Sequence, residues 1–235
     1  MMPLPKIEIP VYSVKLYDLK KTVKYRPYTV KEEKALLMAV ESRDERQIFE
    51  TSIRCCDTCV LTETVKVENL SLIDLETLII SIRSKSVSED VKTKTKCEHC
   101  EKETNISIDL TKMKCEQPKK PQDKIMLDKT YGVQLKSPSL ESVYQNLLNK
   151  TDDGIGSIVS CIDSVYDEET VYSFKDYTEE EKSDFIESLS LETVKKMNDL
   201  FLERLPKNVV NIKYKCPHCG EENEKRVDNL IDFFT

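Results

Sequence analysis

The 235-residue chain is 34% charged and 39% hydrophobic, a balance that argues for a folded protein with a solvated surface and against a disordered or membrane-spanning one. Its formal net charge of −7 disfavours a nucleic-acid partner, because counterion release needs a basic face. Four glycines are too few for a Gly-rich phosphate loop, and the only two histidines, His99 and His218, both sit inside CxxC motifs, so no free imidazole is left as a general base. No enzyme activity and no small-molecule substrate are therefore expected. The opening MMPLPKIEIP lacks the apolar centre of a signal peptide, which points to a chain made and kept in cytoplasm.

The stretch from Lys6 to Thr29 alternates apolar and polar residues on both sides of Asp18 to Lys21 and predicts a hairpin. Its basic run, Lys15 to Arg26, reads as the solvated side of that hairpin. Thr29 with Glu32 forms a capping box ahead of VKEEKALLMAV, and a second helix is expected around Arg46 to Ile53. ETVKVENL is strand-like, and Ser71 with Asp74 opens the helix LIDLETLIISIRS. VKTKTKCEHCEKETNISIDL then reads as a hairpin with cysteines at its tip. A linker with two prolines and few apolar residues follows, and beyond it the order of elements begins again. KIMLDKTYGVQLK is strand-like, SPSLESVYQNLLNK helical, Ile155 to Val165 helical, and ETVYSF strand-like. Thr178 with Glu181 caps the next helix, and another helix ends at Pro206. A second cysteine hairpin and a short helix over NLIDFF close the chain.

The expected fold is therefore α+β, with two similar mixed halves that each end in a CxxC-tipped hairpin. The division runs 1–112, a linker 113–124, and 125–235. Three pairs support an internal duplication: TVKYRPYTVKEE with GVQLKSPSLES, SIRCCDTCVLTETV with SIVSCIDSVYDEETV, and KCEHC with KCPHC.

Nine cysteines in a reducing compartment favour metal over a disulfide framework. A CxxC at a hairpin tip is half of a tetrahedral site, and Cys97, Cys100, Cys216 and Cys219 would together hold one structural zinc with no open position for water. Redox chemistry, an internal disulfide and a metal-free hairpin compete for the same residues. A thioredoxin-like role needs a cysteine at a helix start, and both motifs follow strands instead. Cys55, Cys56 and Cys59 read as small buried hydrophobes; the alternative site is Cys56 and Cys59 with Cys97 and Cys100. His99 and His218 should face solvent, and Cys115 carries no signal.

Several runs resemble the small baseplate proteins of T-even-type contractile-tail bacteriophages that belong to the tail hub. They are VKYRPYTVKEEKALLMA, DLETLIISIRSKSVSE leading into KCEHC, DFIESLS, and KCPHCG with NLIDFF. The resemblance implies a non-enzymatic virion or assembly protein that binds other hub and tail proteins, sits in the virion baseplate, and assembles in the host cytoplasm. Arg83 and Lys85, at a helix end where cations are favoured, are candidate partner contacts. The rival class is a zinc-ribbon nucleic-acid-binding or regulatory module.

Overall fold

The computed structural model describes residues 7–117, 119–140 and 154–228. It is α+β, with helices and several small antiparallel sheets. By contact the chain divides into two units: residues 1–116 with 207–235, and residues 117–206. The second cysteine hairpin thus groups with the N-terminal residues, whereas the sequence placed it with residues 125–206.

In the first unit β1 (Tyr12–Lys15) and β2 (Thr22–Tyr25) form the predicted hairpin. Two helices follow, α1 (Val30–Ser42) and α2 (Glu45–Cys59). The second is longer than the sequence suggested and carries Cys55, Cys56 and Cys59 within it. ETVKVENL is not a strand; it includes a single 3₁₀ turn at Val67–Asn69, with Val65 and Val67 buried. Helix α3 (Leu72–Ser86) starts at Ser71, but not as a side-chain cap. Asp74, predicted to help open it, turns instead to the β1–β2 connection. Its carboxylate accepts backbone N–H bonds from Tyr17 at 2.6 Å, Asp18 at 3.0 Å and Leu19 at 2.8 Å. A buried carboxylate that receives three amides fixes the turn against the helix.

Strands β3 (Asp90–Lys96) and β4 (Glu103–Asp109) form the first cysteine hairpin. Within the stretch read as linker, β5 (Lys114–Glu116) pairs with the N-terminal end of β10 (Lys207–Lys215), which in turn pairs with β11 (Glu222–Val227) as the second cysteine hairpin. Both hairpins alternate: Val91, Ile106 and Ile108 of the first and Val210, Ile212 and Val227 of the second point into one core with Ile80 of α3 and Leu110. Asn208, at the start of β10, is tied to α3: its Oδ1 lies 3.0 Å from Thr77 Oγ1 and its Nδ2 donates to the Ile73 carbonyl at 3.4 Å. Shared core and buried polar tie together set the two hairpins side by side, with both tips at the same end.

The second unit is built on the sheet β6 (Lys124–Met126), β7 (Gly132–Leu135), β8 (Ile162–Tyr166) and β9 (Val171–Ser173), in that order. The helix expected over Ile155 to Val165 is a short α4 (Gly154–Val159) that gives way to β8. Ile162, Ser164 and Val165 of that strand are buried while Asp163 is exposed. Gly132 lies opposite Tyr166, whose ring would sit 2.4 Å from any added Cβ. Helices α5 (Glu179–Glu187), with its predicted Thr178–Glu181 box, and α6 (Leu191–Leu200) complete the unit. Its core joins Ile125, Val133, Leu135, Ile158, Ile162, Met197 and Phe201. The helical reading of SPSLESVYQNLLNK from residue 141, and that of NLIDFF, lie outside the described residues. No helix among the described residues is long and apolar enough to cross a membrane.

Candidate metal centre

Each cysteine tip is a tight turn with the same backbone bonds. In the first, Cys97 N–H donates to the Lys102 carbonyl at 3.0 Å and Glu101 N–H to the Cys97 carbonyl at 2.9 Å. In the second, Cys216 N–H donates to Glu221 and Gly220 N–H to Cys216, both at 2.9 Å. The residue after the second cysteine adopts a left-handed backbone in both, Glu101 at φ 58° and Gly220 at φ 79°. The backbone N–H two residues past the first cysteine points back at its sulfur: His99 to Cys97 Sγ and His218 to Cys216 Sγ, each at 3.4 Å. Amides aimed at a sulfur favour the thiolate over the thiol.

The four sulfurs of Cys97, Cys100, Cys216 and Cys219 all lie within 4.8 Å of one another, a group able to hold a metal ion. Across the tips, Cys97 Sγ is 3.7 Å from Cys219 Sγ, and Cys100 Sγ is 3.8 Å from Cys216 Sγ. Four sulfurs placed tetrahedrally about 2.3 Å from a central zinc are separated by about 3.8 Å. The two cross-tip distances therefore match what such an ion requires. Disulfide sulfurs, by contrast, lie about 2.0 Å apart, and all four cysteines are free.

The electrostatics fit the same donor set. Burial works against ionisation of Cys216, but the backbone amides of Cys219 and His218 and the neighbouring thiols bring it down to about 6. Cys97 is lowered in the same way by the amides of Cys100 and His99, again against burial. Cys219, despite a bond from the Glu221 amide, is held up at about 12 by burial and by its contacts with Cys216, Cys97 and Cys100. The turn amides thus favour the thiolate at Cys97 and Cys216, the form in which cysteine ligates a metal.

Two buried polar side chains complete the shell, and sequence reading missed both. Asn223 Oδ1 accepts the Glu98 N–H at 3.0 Å and lies 3.4 Å from Cys97 Sγ, while its Nδ2 donates to the Glu221 carbonyl at 3.1 Å. Thr104 Oγ1 lies 3.9 Å from Cys216 Sγ. Each stands seven residues after the first cysteine of its own hairpin and touches the first cysteine of the other. That shared offset was the available signal.

His99 and His218 are exposed, as expected, and His218 Nε2 lies 3.1 Å from the Glu103 carbonyl of the first hairpin. Cys56 and Cys59 are not in the sulfur group; they are buried on α2, with burial pushing both thiols up, Cys59 to about 11. Cys115 sits on β5, half-buried. Arg83 and Lys85 lie in the last turn of α3, where Lys85 pairs with Glu89 and stands 5.2 Å from the Tyr12 ring centroid. Away from the metal centre, a groove of about 680 Å³ in the second unit is lined by Tyr131, Tyr172, Phe174 and Phe185 among others. It holds no cysteine or histidine.

The profile of a family described as T4 bacteriophage base plate protein matches residues 9–235, nearly the whole chain. No curated protein matches the chain, and no solved structure does.

Proposed function

The chain belongs to the T4 bacteriophage base plate protein family, and from that premise we propose a non-enzymatic structural or assembly component of the hub in a contractile-tail baseplate. It binds other hub and tail proteins, is assembled into the virion tail in the host cytoplasm, and carries one structural zinc on Cys97, Cys100, Cys216 and Cys219. The observation that carries the reading is the family match over residues 9–235. The sulfur spacing supports zinc, since a tetrathiolate set selects soft or borderline ions and closes the site to substrate. The matched turns and the reciprocal Asn223 and Thr104 contacts support an ancestral duplication centred on the two hairpins.

A nucleic-acid role is less well supported. Next to each tip a lysine faces a glutamate across the ladder, Lys96 with Glu103 and Lys215 with Glu222, which dilutes the basic character that a nucleic-acid face needs. Lys85 can serve a partner by exchanging Glu89 for a partner carboxylate; Arg83, two residues earlier on the helix, faces another side and would contact a partner separately. The test is quantitative mass spectrometry of purified tails and of baseplate intermediates from infected cells. An integral copy number per baseplate in either sample is expected; absence from both would remove the proposal.

A further inference from the structure

Residues 7–11, IEIPV, run into β1 without a turn or bend, yet their apolar pattern is out of step with it. Tyr12, Val14 and Leu16 turn toward the unit, whereas Ile7, Ile9 and Val11 are 90%, 39% and 56% exposed. Side chains along a strand alternate faces, so the apolar parity flips between Val11 and Tyr12. The core that takes β1 cannot also take Ile7, Ile9 and Val11. Exposed apolar side chains scattered singly need no explanation, but three in step on one face do.

The β1–β2 ladder explains why this run is left over and which of its edges is open. Tyr12 faces Tyr25 and Val14 faces Val23; one step on, in the same register, Leu16 N–H donates to the Lys21 carbonyl at 3.0 Å. The even-numbered residues therefore turn their N–H and C=O groups toward β2. The next such pair would be Pro10 with Pro27, and neither proline has an N–H to give, so the ladder stops at Tyr12. Val11, Ser13 and Lys15 turn their backbone groups to the opposite edge, where β1 has no neighbouring strand among the described residues. Continued straight, Ile7 and Ile9 join that edge. No backbone bond ties residues 7–11 to another described residue, so the exposed apolar residues also carry the open donors and acceptors.

We propose that residues 7–13 are a donor strand that adds, through the outer edge of β1, to the open sheet edge of another baseplate protein, with Ile7, Ile9 and Val11 entering that protein's apolar layer. This rests on the reading that the chain binds other tail proteins. In strand addition main-chain bonds supply affinity and alternate side chains supply specificity, and this run presents both on one edge and one face. A second copy of the run would supply the main-chain bonds but leave the apolar face of a two-stranded ribbon in water, whereas a sheet with its own core layer covers it. Edge strands elsewhere in the chain are blunted: β5, β6 and β9 are three residues each, and β3 and β11 expose Asp90, Lys92, Lys96, Glu222 and Arg226. The acceptor is therefore a different protein.

The test supplies wild type and one variant together, in equal amounts, to infected cells and reads their ratio in purified tails and baseplate intermediates by mass spectrometry. Ile9→Pro removes an outward N–H and should be depleted at least about tenfold. Ile9→Lys keeps the N–H, loses the apolar side chain, and should be depleted to a similar degree. Glu8→Pro removes an N–H only from the edge that Pro10 already leaves without one, and should stay within about twofold of parity. Circular dichroism of the purified chains should be unchanged, because neither residue is bonded to another described residue. Equal depletion of Glu8→Pro and Ile9→Pro, or parity for either Ile9 variant, overturns the proposal. So does self-association of purified wild type that Ile9→Pro abolishes, which would assign the edge to a second copy. Wild type missing from both samples would instead overturn the reading of the chain as a tail component, and this proposal with it.

Discussion

Glu101 and Gly220 occupy the same place in two equivalent turns, and both backbones are left-handed. A side chain with a Cβ is disfavoured there by roughly 1–2 kcal/mol, and glycine is not. The space around Gly220 is open, so an added methyl meets nothing within 4 Å and only the backbone preference is at stake. Gly220→Ala should therefore lower the stability of the metal-loaded protein by about 1 kcal/mol. Glu101→Gly should raise it by less than that, since glycine also loosens the unfolded chain. Urea midpoints for the two variants check the pair; an unchanged Gly220→Ala midpoint would mean the turn is not held in this conformation. Asn223 offers a sharper probe. Its Oδ1 bridges the Glu98 amide and Cys97, and outer-shell partners of this kind are worth roughly 10–100-fold in metal affinity. Chelator competition should show Asn223→Ala releasing metal that much more readily, with the fold retained while metal is bound. The cysteines were legible in sequence because four thiols at hairpin tips have few other uses. Asn223 and Thr104 were not, because each acts across a hairpin pair whose side-by-side placement depends on a core formed more than a hundred residues apart in the chain.

At the level of elements, the capping box ahead of α1 became part of a larger cluster. Glu32 accepts from Arg26, with the shorter bond at 2.9 Å, and from the Thr29 N–H at 2.7 Å. Chiefly through the Arg26 bond, and against burial, its carboxyl is held at about 2 instead of 4.5. A folded value below the unfolded one means the stabilisation is complete above the unfolded value and is lost as pH falls through the folded one. Wild-type protein should lose this contribution between about pH 4.5 and about pH 2. Urea denaturation near neutrality should find Glu32→Gln clearly less stable than wild type, and the gap should close toward the bottom of that window. A gap that does not depend on pH would place the effect in packing instead. The elements that sequence reading misassigned share one cause. Residues 162–166 become a strand because β7 and β9 flank them, and β5 forms only because β10 returns to it. ETVKVENL alternates like a strand but is not one, and Val65 and Val67 bury without a ladder. Long-range pairing overrides local pattern in short segments.

For the molecule as a whole, charge and the candidate metal ligands are distributed unevenly. Residues 117–206 hold 11 Lys and Arg against 18 Asp and Glu, and 11 − 18 = −7, the net charge of the entire chain. The other unit is neutral overall and contains all four sulfurs of the cluster. The sequence division at residues 113–124 could not anticipate this grouping, because nothing local to the second hairpin says which core it joins. Loss of metal should act on one unit first. After chelation, hydrogen exchange should speed up in β3, β4, β10 and β11 while β6 to β9 keep their protection, because the ion closes a long loop only in the former. Uniform loss in both units would contradict that localisation.

One zinc on Cys97, Cys100, Cys216 and Cys219 is the feature that joins the two cysteine hairpins in this proposal. Elemental analysis of the full chain, purified without added metal under reducing conditions, tests it most directly. Close to one zinc per chain is expected, falling to background in a Cys97→Ser/Cys216→Ser variant; less than about a tenth of an equivalent in wild type, against the tight binding expected of a structural tetrathiolate site, would rule the site out.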